Sequence, residues 1–152
     1  MRTYFDTSLL LATYLPEPET DAALEILYNT SGPVPFSHLL EIELRTAIRL
    51  RHGRREVSAT AMRGALRALE NDLASGILVR PDYDLPAVFR RAESISAKHA
   101  AATLARSADI WHVAAALEIG CSSLASFDAR QRKLAKRCRL SITPPFTKQS
   151  PE

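Results

Sequence analysis

Asp6, Glu43, Asp109 and Asp128 are the residues of this chain whose types and surroundings best suit chemistry, because each is a carboxylate bordered by apolar neighbours. Asp6 ends the β-prone run Thr3-Tyr4-Phe5 and precedes Leu9-Leu10-Leu11. In open α/β sheets, clefts form outside the carboxyl ends of the strands, so a charged side chain there faces a ligand rather than the core. Asp128 stands in the same relation to the run Ser122 to Phe127. Asp109 opens a segment containing Ile110, Trp111, Val113, Ala114, Ala115, Ala116 and Leu117, apolar nearly all round, which is the pattern of a buried helix. A carboxylate in such a place must be capped, paired or bound to a cation. Taken singly, each has an ordinary alternative: Asp6 and Asp128 as helix N-caps, Asp109 in a first turn favoured by the helix dipole, Glu43 as a solvated helix position.

The elements that must position these residues alternate between short β-prone runs and longer helical patterns, which predicts an α/β fold with a parallel sheet covered by helices. Strands are expected at 2–6, Pro33 to Ser37, Ile77 to Val79, Ser122 to Phe127 and Leu140 to Ile142. Helices are expected at Leu9 to Tyr14, Asp21 to Tyr28, from Ser37 as cap to about Arg51, Ser58 to Ala74, Pro86 to about Leu104, Asp109 to Ile119 and Ala129 to Lys136. Pro16-Glu17-Pro18 breaks the first helical pattern, and Gly120 stands where a helix end favours glycine. The polar residues 147–152 read as a disordered tail after a single domain over 1–146.

Composition sets the frame. A chain of 152 residues with 46% hydrophobic content fits one domain with a true core. The formal charge of +3 is a mild bias towards polyanionic partners, too small to name one. No apolar run approaches the roughly 18 residues of a membrane span, and a signal peptide's basic start and cleavage site are lacking. Cys121 and Cys138 have neither zinc nor thioredoxin spacing. The expectation is a cytoplasmic protein with reduced thiols and no membrane partner.

Four segments, in order along the chain, resemble the PIN-domain ribonucleases and, within them, the VapC-type toxins of toxin–antitoxin systems. They are Tyr4-Phe5-Asp6-Thr7-Ser8 running to Tyr14-Leu15-Pro16-Glu17; Ser37 with Glu43-Leu44-Arg45 and Ala47; Arg106 to Ala114 through Ala108-Asp109-Ile110-Trp111-His112; and Ser126-Phe127-Asp128-Ala129-Arg130-Gln131. The resemblance implies a PIN-like three-layer fold, a central parallel sheet of about five short strands flanked by helices, with the acids gathered at one end. It implies catalytic and metal-binding roles for Asp6, Glu43, Asp109 and Asp128. The family often has Thr two residues before the last Asp, where this chain has Ser126, so a hydroxyl is kept. Glu41 is a neighbouring candidate, but two residues along a helix turn a side chain to another face, and the position of Ala47 favours Glu43.

Carboxylate oxygens without thiolates select hard ions, so Mg2+ or Mn2+ is the implied cofactor. The implied reaction is hydrolysis of RNA phosphodiesters by a metal-activated water, with Glu43 or Asp128 as an alternative general base. Thr7, Ser8 and Ser126 are expected to orient carboxylates. Arg45, Arg49, Arg51, Arg54 and Arg55 form one basic block, and Arg130, Arg132, Lys133, Lys136, Arg137 and Arg139 another. Of these, Arg45, Arg49, Arg130 and Arg132, together with Arg106, are the candidate RNA contacts, since cations beside a site give affinity without sequence choice. His112 is chiefly a hydrogen-bonded packing residue by this reading, and Trp111 core or dimer surface. The resemblance further implies a cognate antitoxin covering the acidic cleft and a homodimer.

Other classes fit less well. A dehalogenase-type phosphotransferase wants Asp where Ser8 stands, and a receiver domain wants adjacent acids at the first strand end and a Lys after a late strand. With 5 Gly and no glycine-rich loop, a nucleotide-binding module is disfavoured. The alternative retained is a catalytically silent PIN-like protein that binds RNA or a partner.

Overall fold

A computed structural model describes residues 2–145, so the expected tail at 147–152 lies outside the described residues. Strand β1 (Thr3–Phe5) leads into α1 (Thr7–Tyr14), and α2 (Thr20–Tyr28) follows the Pro16-Pro18 break. Next come β2 (Val34–Pro35), α3 (His38–Gly53), α4 (Ala59–Ser75) and β3 (Leu78–Val79). The chain closes with α5 (Leu85–Thr103), α6 (Ser107–Glu118), β4 (Ser123–Ala125), α7 (Ala129–Arg137) and β5 (Ser141–Thr143). Every expected element is present, and four of the five strands are shorter than the β-prone runs that announced them. Three of those runs lead into residues committed to the next helix: Asp6, Ser37 and Asp128 are N-caps of α1, α3 and α7, each accepting a backbone N–H with its side chain.

All strand pairs are parallel. The order β1-β4-β5 forms one ladder, with Tyr4 opposite Leu124 and Leu124 opposite Ile142, and β2 pairs with β3 in a second. β1 lies beside β2, so the five strands make one layer whose hydrogen bonding is interrupted between the two ladders. On one side α1 packs against α2, α3 and α4; on the other, α5, α6 and α7 pack on one another.

Tyr4, Phe5, Leu124 and Ala125 are fully buried, as expected for parallel strands covered on both faces. Helix α6 is the most enclosed: Ile110 through Ala116 are all buried, as its all-round apolar pattern requires. Cys121 and Cys138 are free thiols. Among the described residues no helix is long and apolar enough to cross a membrane.

Gly64 lies within α4, where a Cβ would meet nothing within 4 Å. Gly64→Ala should therefore raise unfolding stability by about 0.5–1 kcal/mol through lower unfolded-state entropy. Gly76, the left-handed C-cap of the same helix at φ 78°, should lose about 1 kcal/mol on the same change despite equally open space. Urea unfolding of the two variants checks the pair of opposite signs.

Candidate active site

Beyond the carboxyl ends of β1 and β4, the ladder extends by two further hydrogen bonds, from Asp6 N to Ala125 O at 3.0 Å and from Ser126 N to Thr143 O at 3.0 Å. This fixes Asp6 and Ser126 side by side. Asp6 is only 2% exposed. Its Oδ1 accepts from Leu9 N at 2.9 Å and Ser8 Oγ at 2.8 Å, and its Oδ2 accepts from Ser126 Oγ at 2.5 Å. Burial raises the Asp6 carboxyl above its ordinary range, against the pull of Ser126, Leu9 and Ser8.

The hydroxyls that hold Asp6 also tie down the neighbouring loop. Ser126 Oγ accepts from Asp128 N and Ser8 Oγ from Phe127 N, both at 3.0 Å. Ser8 and Ser126 thus each hydrogen-bond the Asp6 carboxylate and fix the entry to α7 as well.

Glu43 approaches from α3. Its Oε2 accepts from Thr7 Oγ1 at 2.8 Å and meets His112 Nε2 at 2.5 Å, while His112 Nδ1 lies 2.8 Å from the Tyr4 hydroxyl. Burial pushes the Tyr4 phenol up and keeps it protonated. Because a carboxylate only accepts, Nε2–H donates to Glu43. Burial opposes ionisation of Glu43, but the hydrogen bond and attraction of His112, with Thr7, prevail and hold its carboxyl below the ordinary range. The packing role expected of His112 is therefore met, with the added task of orienting Glu43.

Asp109 accepts from Arg106 N through Oδ2 at 2.9 Å, and Asp128 accepts from Gln131 N through Oδ1 at 2.9 Å. The cap readings of Asp6 and Asp128 are thus correct, and Asp109 serves the start of its own helix. They do not exclude a second role. Asp6, Glu43, Asp109 and Asp128 all line one cavity of about 540 Å3, walled by Leu11, Ile42, Ala47 and Leu50 and completed by Thr7, Ser8, Thr46, His112 and Gln131.

Glu41 does not line it. It pairs with Arg45 at 2.8 Å and with Arg80, because two residues along α3 face another way. Of the lining residues, Thr46 and Gln131 had no role assigned from sequence. The spacing Asp128-x-x-Gln131 was the signal available for the latter, as a capping-box pattern.

The donor set is all hard oxygen, suited to Mg2+ or Mn2+. Glu43 Oε1, Asp109 Oδ1 and Asp128 Oδ2 have no hydrogen bond among the described residues, so each carboxylate keeps an oxygen beyond its capping or orienting bond. As the side chains stand, no three His, Cys, Asp or Glu among the described residues form a ready-made cation site. The other oxygen of each is turned to Thr7 and His112, to Arg106 N or to Gln131 N.

The arginines divide. Arg49 and Arg106 are exposed and Arg130 half-buried. Arg45 is engaged by Glu41 and, at 3.5 Å, by Glu70; Arg51 pairs with Glu17 at 2.7 Å and Glu56 at 2.6 Å. Arg132 departs from the expected phosphate contact. It is 8% exposed, and its guanidinium donates to Ser126 O at 2.9 Å and Pro144 O at 2.7 Å. The reason is local: Arg132 lies on the inner face of α7 with Gln131 and Leu134, and its fork satisfies two carbonyls at the ends of β4 and β5.

The sequence matches a family model described as PIN domain over residues 3–137. No curated protein matches it in sequence. The fold is similar to that of VapC20 from Mycobacterium tuberculosis, a sarcin-ricin loop cleaving toxin, with TM-score 0.64, 15% identity and coverage of 85% of this chain and 92% of that one. It is similar also to FitAcB from Neisseria gonorrhoeae, with TM-score 0.60, 17% identity and coverage of 92% and 95%. PAE2754 from Pyrobaculum aerophilum gives TM-score 0.56 at 18% identity, covering 93% and 83%.

Arg132→Met should lower stability by about 2–4 kcal/mol, because two carbonyls lose a charged donor. Arg130→Ala, half-buried and without such bonds among the described residues, should change it by less than about 0.5 kcal/mol. Chemical denaturation of both variants distinguishes the structural arginine from its neighbour.

Proposed function

The chain belongs to the PIN-domain family, and from that premise we propose that it is a metal-dependent endoribonuclease of the VapC toxin type. One observation carries the reading: four carboxylates from four separate segments line a single cavity, and three of them keep an oxygen without a protein hydrogen bond among the described residues. Like charges so gathered repel one another, and a divalent cation relieves that repulsion. Asp6, Asp109 and Asp128, with Glu43, would hold Mg2+ or Mn2+. Such an ion supplies Lewis acidity and charge neutralisation for phosphodiester hydrolysis.

The chain's own groups do the rest. Thr7 and His112 fix Glu43 through Oε2, leaving Oε1 for the cation or for the proton of the attacking water. Ser8 and Ser126 hold Asp6 at the base of the cavity. Exposed Arg49 and Arg106, with Arg130, supply phosphate contacts along the approach.

Beside the acidic cavity lies an apolar groove of about 850 Å3, lined by Leu39, Ile42, Tyr83, Leu85, Phe89 and Trp111 among others. Ile42 lines both spaces. An apolar segment of a cognate antitoxin lying in the groove would therefore bring a following basic side chain to the carboxylates. Self-pairing is the other protein contact in this reading, and sedimentation that finds only monomer at high concentration removes it.

The purified protein should cleave RNA with Mn2+, and Asp6→Asn should lose more than about 100-fold, beyond what loss of a supporting contact at a metal site costs. Equal cleavage by both would point to a contaminating nuclease and end the proposal. Mn2+ binding with no cleavage of any RNA would favour the silent PIN-like alternative. For the groove, Phe89→Glu should leave RNA cleavage unchanged and raise the antitoxin concentration needed for inhibition by about 10–100-fold; an unchanged inhibition curve places the antitoxin elsewhere.

A further inference from the structure

Asp128-Ala129-Arg130-Gln131 has the spacing of a capping box, with Asp128 as the N-cap of α7 and Gln131 three residues on. In that motif two bonds are exchanged. The cap side chain accepts the N–H of the third residue, whose own side chain accepts the N–H of the cap. Here the first bond is made, at 2.9 Å, and the second is not. The Asp128 N–H goes instead to Ser126 Oγ at 3.0 Å, the same hydroxyl that donates to Asp6. The Gln131 amide is thereby released from its ordinary work.

The released amide lies in an unusual place. Gln131 is 3% exposed, it lines the acidic cavity, and its Nε2 has no hydrogen-bond partner among the described residues. A buried donor left unpaired costs about 1–3 kcal/mol. Packing alone would be met by an apolar residue, as Leu134 and Ala135 meet it farther along the same helix.

We propose that Gln131 contacts the substrate: its Nε2 is shut off from solvent as the side chain stands, and a half-turn of the amide presents it to a non-bridging oxygen of the phosphodiester to be cut; this rests on the ribonuclease reading above. An anionic phosphate entering among four carboxylates needs donors, and most of the side-chain donors lining the cavity are already committed. Thr7 donates to Glu43 and Ser8 to Asp6. Both nitrogens of His112 are engaged, and the Arg132 guanidinium donates to backbone carbonyls. A Lys or Arg at position 131 would pair with the carboxylates and compete with the cation. A neutral amide offers a hydrogen bond and leaves their charge intact.

Gln131→Met keeps the side-chain length and removes the donor. The backbone N–H that Asp128 accepts is unaffected. Single-turnover cleavage of RNA should fall about 100-fold, the scale of losing one preorganised donor to a charged oxygen. The KM and the affinity for a 2′-O-methyl oligoribonucleotide should stay close to wild type, and the melting temperature should hold or rise, because an unpaired buried donor is removed. Cleavage by Gln131→Met at the wild-type rate overturns the proposal.

A second measurement follows the side-chain amide directly, by 15N-resolved NMR of the full chain, with the Gln131 signal assigned by its loss in Gln131→Met. It should move when the 2′-O-methyl oligoribonucleotide is added with Mg2+ and stay still with Mg2+ alone. Movement with Mg2+ alone would assign the amide to the cation site and overturn the phosphate contact. An unmoved amide, while backbone signals around the cavity shift, overturns the contact and leaves the ribonuclease reading standing. A moved amide in a protein that cuts no RNA overturns the ribonuclease reading and keeps the contact. Neither binding nor cleavage overturns both.

Discussion

Asp6 carries a charge-bearing group to 2% exposure at the end of a parallel sheet, and a carboxylate that deep costs several kcal/mol to ionise unless donors surround it. The donors come from three places: the first turn of α1 through Leu9 N, the adjacent Ser8, and Ser126 beyond β4. Parallel pairing of β1 with β4 brings the last of these within reach across 120 residues of sequence. Ser126 then accepts the Asp128 N–H, and Ser8 the Phe127 N–H, so the loop carrying the fourth carboxylate is fixed by the same hydroxyls that hold the first. The arrangement of the whole cavity floor follows from satisfying one buried charge.

A second chain of contacts works from the other side. Fully buried Tyr4 is hydrogen-bonded to His112, and His112 donates to Glu43, which also accepts from Thr7. Residues from β1, α6, α3 and α1 are joined through four side chains. Such a chain holds Glu43 in one orientation and keeps it ionised, useful properties for a group that must present its second oxygen to a cation or a proton. Capping and chemistry do not compete here, because a carboxylate has two oxygens and a cap occupies one.

The basic residues show how far charge alone can mislead. Arg130 and Arg132 are two positions apart in one basic block, yet Arg132 is buried against the carbonyls of Ser126 and Pro144 while Arg130 is half-buried. The difference is helix phase: Arg132 shares the inner face of α7 with Leu134 and Ala135, and composition cannot show which face the sheet will cover. Arg45 and Arg51, equally prominent in the sequence, are engaged by acids: Arg45 by Glu41 of its own helix and Glu70 of α4, Arg51 by Glu17 and Glu56.

What the sequence determined by itself was the local chemistry. The alternation of β-prone and helical runs set every element, because periodicity and capping residues are properties of neighbours along the chain. The all-round apolar character of residues 110–117 announced a buried helix, and the acids bordered by apolar residues marked the candidate site. Glu43 was preferred to Glu41 by helix phase before any tertiary contact was seen. What only the tertiary structure decided was which long-range partners each polar group takes: Ser126 for Asp6, His112 for Glu43, backbone carbonyls for Arg132, and nothing among the described residues for the Gln131 amide. These outcomes depend on strand register and helix packing across tens of residues. A hydrogen bond is settled by a few tenths of an ångström in space, a distance that spacing along the chain does not encode.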